Sequence, residues 1–183
     1  MLIIFPTLLI TLLTFPGVII HEIAHRFFCD WVGLAVYKVK YFIPSNKVSG
    51  YVLHEKTTNI NHQYLISMAP FIINTLVCAL LTFPTSLPSS WFGDCIESDP
   101  ITQILFNIMA WVGVSSGMHA FPSTIDLDQI ERVYHYYPSQ SQFFCRIIES
   151  SLKFFRFFDA IRFFVLDLFY VLLIKKILPF LLL

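Results

Sequence analysis

The sequence predicts an all-α polytopic membrane protein: three to four transmembrane helices, a small β-hairpin on the cytosolic side, and a C-terminal amphipathic, Phe-rich helix. Three observations predict it. Of the 183 residues, 56% are hydrophobic and 13% charged, about half the charged fraction of a soluble domain. Apolar runs recur at about residues 2–29, 64–83 and 101–118, each near the ~20 residues that cross a hydrocarbon core. Between the first two runs, residues 36–53 alternate in the two-residue period of a strand pair. The chain reads as one membrane-embedded domain over 1–183, with the lipid bilayer as its first partner. Lysines and arginines balance the acidic residues at 12 each, so no basic excess argues for a nucleic-acid partner. Cys29, Cys78, Cys95 and Cys145 are scattered without CxxC spacing, which suggests neither a Cys-based zinc site nor a disulfide framework.

The first run carries no ionisable side chain from Leu2 to Ile20, and then His21, Glu22 and His25 arrive within five residues. No basic n-region or small-residue cleavage site precedes them, so the run reads as a retained span and not a signal peptide. Residues four apart share a helix face. Both imidazoles can therefore address one ion, while Glu22, turned by about 100°, sits beside it. This is the HExxH arrangement of zinc peptidases, with the glutamate working on a metal-bound water. The alternative is a pair of buried, hydrogen-bonded histidines near a carboxylate, but ionisable groups inside a membrane are costly and are functional by default. Pro16-Gly17, one turn earlier, predicts a kink in this span.

In the hairpin, Tyr37, Val39, Tyr41 and Ile43 fall on one face and Lys38 and Lys40 on the other, with Pro44-Ser45-Asn46-Lys47 as the turn. Its edge suits strand addition by an extended peptide, or the hairpin simply lies on the membrane surface. The second run contains Ala69-Pro70 and Asn74; a mid-membrane amide either bonds a neighbouring helix or serves an oxyanion. The loop from Pro84 to Pro100 holds Asp94, Glu97 and Asp99 but no Lys or Arg. The third run ends in Gly113-Val114-Ser115-Ser116-Gly117, small residues that permit close helix approach.

A polar cluster follows, from His119 to Asp128. Two histidines leave zinc short of its usual three protein ligands, and His119, Asp126 and Asp128 are the candidates for the third, with Asp126 preferred. Ser123-x-x-Asp126 also matches a capping box opening a helix through Arg132 and Val133. Beyond the loop at 134–142, Lys153, Arg156, Asp159, Arg162 and Asp167 fall on about half of a helical wheel among phenylalanines. An interfacial helix leading into a fourth segment at about 160–183 is expected, with Lys175-Lys176 interrupting it.

The loop after the first run carries Arg26, Lys38, Lys40, Lys47 and Lys56, and the loop after the second carries none. The positive-inside rule then puts the N-terminus outside and the first loop in the cytosol. Both His21-His25 and Asp126 fall at cytosolic ends of their spans, on one side of the membrane.

These residues resemble the site-2-protease class of intramembrane metallopeptidases. The matching positions are His21, Glu22 and His25; Gly50-Tyr51-Val52 of the hairpin; and Ala69-Pro70 with Asn74. The family commonly has Gly-Pro-x-x-Asn at the last of these, and its Leu-Asp-Gly appears here as Leu127-Asp128-Gln129, leaving Asp126 and Asp128 both in play. The resemblance covers about residues 1 to 130. It implies a Zn2+ cofactor and hydrolysis of peptide bonds in a transmembrane or membrane-associated protein substrate. Glu22 would act as general base, His21, His25 and an aspartate as metal ligands, and Asn74 as a contributor to the oxyanion. A metal transporter and a non-catalytic membrane scaffold are the competing readings.

Overall fold

A computed structural model describes residues 4–45, 49–84, 100–137, 141–161 and 164–182. Over the described residues the chain is mostly helical, with one small two-stranded antiparallel sheet. Its helices are α1 (Ile4–Leu13), α2 (Phe15–Trp31), α3 (Ile60–Thr82), α4 (Pro100–Met118), α5 (Thr124–Tyr136), α6 (Gln142–Ile161) and α7 (Phe164–Leu182), with strands β1 (Val36–Lys40) and β2 (Tyr51–His54) between α2 and α3. Among the described residues, two helices are long and apolar enough to cross a membrane, α3 and α4.

The first apolar run is two helices where one kinked span was expected. The break falls at Thr14, whose φ of −111° and ψ of 25° leave the helical region. Pro16 brings no N–H to the new helix start. The Thr14 hydroxyl turns back to donate to Ile10 O at 2.7 Å. Neither piece alone reaches the length of α3 or α4.

The hairpin forms antiparallel and shorter than expected, and its faces differ from the simple alternation. An irregularity between Val36 and Lys38 shifts the register, so that Val39 pairs with Val52 and Lys40 with Tyr51. An extra residue in one strand reverses the side-chain alternation there. Val36 and Val39 consequently turn inward, while Tyr37 is 66% exposed. Val36 and Val52 pack on Ala24, Phe28, Ile66 and Ala69, tying the hairpin to α2 and α3.

Helix α3 starts earlier than expected, where Asn59 accepts from the Asn61 N–H. It passes through Pro70 without ending. α4 presses on α2 through its small residues: a Cβ on Gly17 would lie 1.9 Å from the carbonyl oxygen of Ser115. Only glycine allows that approach. The Ser123–Asp126 capping box is present with both reciprocal bonds and opens α5.

At the C-terminus α7 continues as helix through Lys175 and Lys176, which interrupt the apolar run, to Leu182. It lies on α3 and α4, where Val171 packs with Cys78 and Met118 and Tyr170 Oη meets Thr75 Oγ1 at 2.6 Å. The acidic loop with Asp94, Glu97 and Asp99, the turn residues Asn46 and Lys47, and Arg162 lie outside the described residues.

Candidate metal centre

The helical spacing of His21 and His25 makes the two rings neighbours, and the fold then aims them. His21 Nδ1 bonds the carbonyl oxygen of His119 at 2.8 Å. His25 Nδ1 bonds that of Ile66 at 2.9 Å. A carbonyl can only accept, so both Nδ1 atoms carry hydrogen and both Nε2 atoms present lone pairs. Those two Nε2 atoms lie 3.2 Å apart. Asp126 closes the group, with Oδ1 3.3 Å from His25 Nε2 and Oδ2 3.8 Å from His21 Nε2.

Two lone pairs and a carboxylate facing one point need a cation between them, a metal ion or a proton. Ligands ~2.1 Å from a tetrahedral ion sit about 3.4 Å from one another; the His21–His25 and His25–Asp126 edges are near that, and the His21–Asp126 edge is longer. The outward nitrogens are pinned as metal-bound histidines usually are, which fixes tautomer and ring orientation. Burial works against ionisation of the Asp126 carboxyl, but positive charge on His25 and His21, with hydrogen bonds from their protonated rings, holds it well below the usual carboxylate range. The trio is thus a set of three atoms that could hold a metal ion.

Asp126 serves both the cap and the centre, with Oδ1 left free of the cap. Oδ2 accepts from the Ser123 N–H at 2.8 Å and from the Ser123 hydroxyl at 2.6 Å, and Oδ1 is the atom nearest His25. The other two candidate ligands go elsewhere. Asp128 is exposed and pairs with Arg156 of α6. The ring of His119 reaches back to Thr14 Oγ1 at 2.8 Å, where Nε2 must be the donor because the Thr14 proton goes to Ile10 O. His119 contributes its carbonyl to the centre.

Glu22 is buried and lines the same cavity as the trio, a space of about 500 Å³. The hairpin lies directly on it: a Cβ at Gly50 would come within 2.7 Å of Glu22 Cγ and 2.9 Å of Oε1. Asn74 does not line this cavity. Its carboxamide donates to Gly17 O at 3.2 Å and to His119 O at 2.9 Å, so it holds the carbonyl that in turn holds His21. Sequence reasoning missed the roles of the His119 and Ile66 carbonyls, of Thr14, and of Gln129 and Asp167, which also line the cavity. Carbonyl partners leave no residue-type signal; Gln129 was visible only as the residue replacing a glycine.

Comparison with known protein families, curated proteins and solved structures finds no match.

Proposed function

We propose that the chain is a membrane-embedded zinc metallopeptidase of the site-2-protease type, acting on membrane-associated protein substrates. The observation that carries this is the convergence of His21 Nε2, His25 Nε2 and Asp126 Oδ1 on one point beside a buried glutamate. Three protein ligands leave a fourth position open, which is the pattern of catalytic zinc. When bound there, zinc would supply Lewis acidity, acidifying water toward a pKa of ~7 and polarising a carbonyl.

The chain's own residues complete the chemistry. Glu22 takes a proton from the attacking water as a C–O bond forms at the scissile carbonyl, then delivers it to the departing amine as the C–N bond breaks. β2 offers a way to hold the substrate. Gly50, Tyr51 and Val52 line the cavity, and an unwound stretch of substrate can pair along that strand. Asn74, with its donors on Gly17 O and His119 O, is assigned a positioning role in place of the oxyanion role.

In the membrane, the proposal keeps the broken first run (α1 and α2) as a span beside α3 and α4. The N-terminus is outside and the metal site lies near the cytosolic face, from the basic residues Arg26, Lys38, Lys40 and Lys56. Helix α6 is suited to the interface, because Phe143, Phe154 and Phe157 are exposed on a helix that also carries Arg146, Lys153 and Arg156.

The first test is metal content of detergent-purified protein. About one zinc per chain, lost in Asp126→Ala and kept in Asp128→Ala, is expected, and Glu22→Gln should keep zinc while abolishing cleavage of a membrane substrate. Prolines placed in β2 with zinc retained should lower cleavage. A folded wild type that takes up no supplied zinc would leave a proton as the cation of the trio and end the peptidase reading. Transport or scaffolding would instead survive Glu22→Gln.

A further inference from the structure

Three carboxyl groups line the cavity, and Gln129 is the one carboxamide in its described lining. Glu22, Asp126 and Asp167 all line it. His54 spends its Nδ1–H on Glu55 O at 2.7 Å, which leaves an acceptor on that ring as well. An extended peptide lying along β2 would bring carbonyl oxygens that need donors. Asn74, the amide expected to serve there, is spent on Gly17 O and His119 O.

A different amide occupies the right place. Gln129 stands one helical turn after Asp126 on α5 and lines the same cavity. Its Oε1 accepts from Gln63 Nε2 at 3.0 Å. That same Gln63 nitrogen donates to Ser67 Oγ at 3.1 Å. Gln63 is 3% exposed and does not line the cavity. A carboxamide has one accepting and one donating end. Pinning the oxygen of Gln129 on α3 leaves its NH2 as the free end, and among the described residues that NH2 has no protein partner.

We propose that Gln129 is a substrate-binding residue whose carboxamide NH2 donates to a backbone carbonyl of the bound peptide, and that Gln63 is a positioning residue that sets which way that amide faces. This rests on the peptidase reading. Gln129 thereby supplies the donor that Asn74 does not.

The arrangement makes an unusual prediction for Gln63. In Gln63→Glu the partner can only accept, so the Gln129 amide must turn over, giving its NH2 to Glu and its oxygen to the cavity. The experiment uses the zinc-loaded full-length chain in detergent micelles with two probes measured by titration calorimetry. Acetohydroxamate reaches the metal alone, and an N-acylated dipeptide hydroxamate adds backbone carbonyls. Gln129→Glu, Gln129→Met and Gln63→Glu should each weaken the dipeptide hydroxamate about tenfold, one lost hydrogen bond, with acetohydroxamate affinity and zinc content unchanged.

Unchanged dipeptide affinity in the Gln129 variants overturns the assignment, as does equal weakening of both probes. If Gln63→Glu fails to fold, Gln129→Met still decides. A wild type that binds neither zinc nor acetohydroxamate overturns the peptidase reading and this inference together, so the two failures are distinguishable.

Discussion

The histidine–aspartate trio is held by hydrogen bonds that each have one solution, whereas the ring layer around Phe121 is held by packing that has many. At the trio, each Nδ1 has its own acceptor: His119 O for His21 and Ile66 O for His25. In the ring layer, Phe121 stacks on Phe158 at 5.8 Å and meets Tyr170 edge-on at 4.9 Å, while Phe71 and Phe155 touch at 5.1 Å. Each such pair adds only about 1 kcal/mol beyond the area it buries. The two regions meet in the segment from His119 to Asp126. There Phe121 faces the rings, and Asp126, five residues on, faces the metal centre. Directional bonds concentrate function in a few atoms, and packing spreads stability over many.

If that division is right, the two kinds of region should fail in separable ways. Phe155→Ala in the ring layer gives the largest expected effect on stability, about 3 kcal/mol for a buried ring lost from a packed core. Denaturant unfolding in detergent should show it, while zinc affinity of the folded protein stays near wild type. Asp126→Ala should show the reverse pattern: zinc lost, with only the cap's contribution missing from the fold. A Phe155→Ala protein that folds but no longer holds zinc would break the comparison, because packing would then be setting the ligand geometry directly.

Asn74→Ala probes the bonds behind the ligands. Asn74 is fully buried and ties Gly17 O of α2 to His119 O, the carbonyl that orients His21. Outer-shell partners of this kind typically change metal affinity by 10–100-fold. Competition with a chelator of known affinity should therefore show zinc held at least ~10-fold more weakly, with His21 and His25 still present. Unaltered zinc affinity would mean that His119 O is fixed by the close approach of Gly17 to Ser115 alone.

The same contrast explains what the sequence disclosed. The His21–His25 pair and the Ser123–Asp126 box were legible because each is a local pattern, set by the pitch of one helix or by its first turn. Two long apolar helices, α3 and α4, were legible from their composition. The hairpin was legible as a pair of strands, but its inward face was not, since one extra residue between Val36 and Lys38 inverts the alternation. A kink was expected at Pro16-Gly17, but the structure breaks the helix at Thr14, whose hydroxyl joins its own N–H on Ile10 O. Long-range acceptors were invisible: every residue has a carbonyl, so nothing marks those of His119 and Ile66. The Gln63–Gln129 contact, between residues 66 apart, was equally invisible.

Ser123→Ala gives the smallest expected effect and the sharpest test of how cap and centre share Asp126. Ser123 donates to Asp126 Oδ2 through both its N–H and its hydroxyl, and its hydroxyl oxygen accepts from the Asp126 N–H at 3.2 Å. Removing the hydroxyl deletes the side-chain half of the box and costs about 1 kcal/mol of stability. It leaves the backbone bond to Oδ2, so the carboxylate keeps one anchor and Oδ1 keeps its direction toward His25. Zinc affinity should consequently fall much less than in Asn74→Ala, even though Ser123 touches a ligand and Asn74 touches none. The reverse order would mean that the hydroxyl, more than the start of α5, aims the carboxylate, and the cap would then belong to the metal centre as fully as the two imidazoles do.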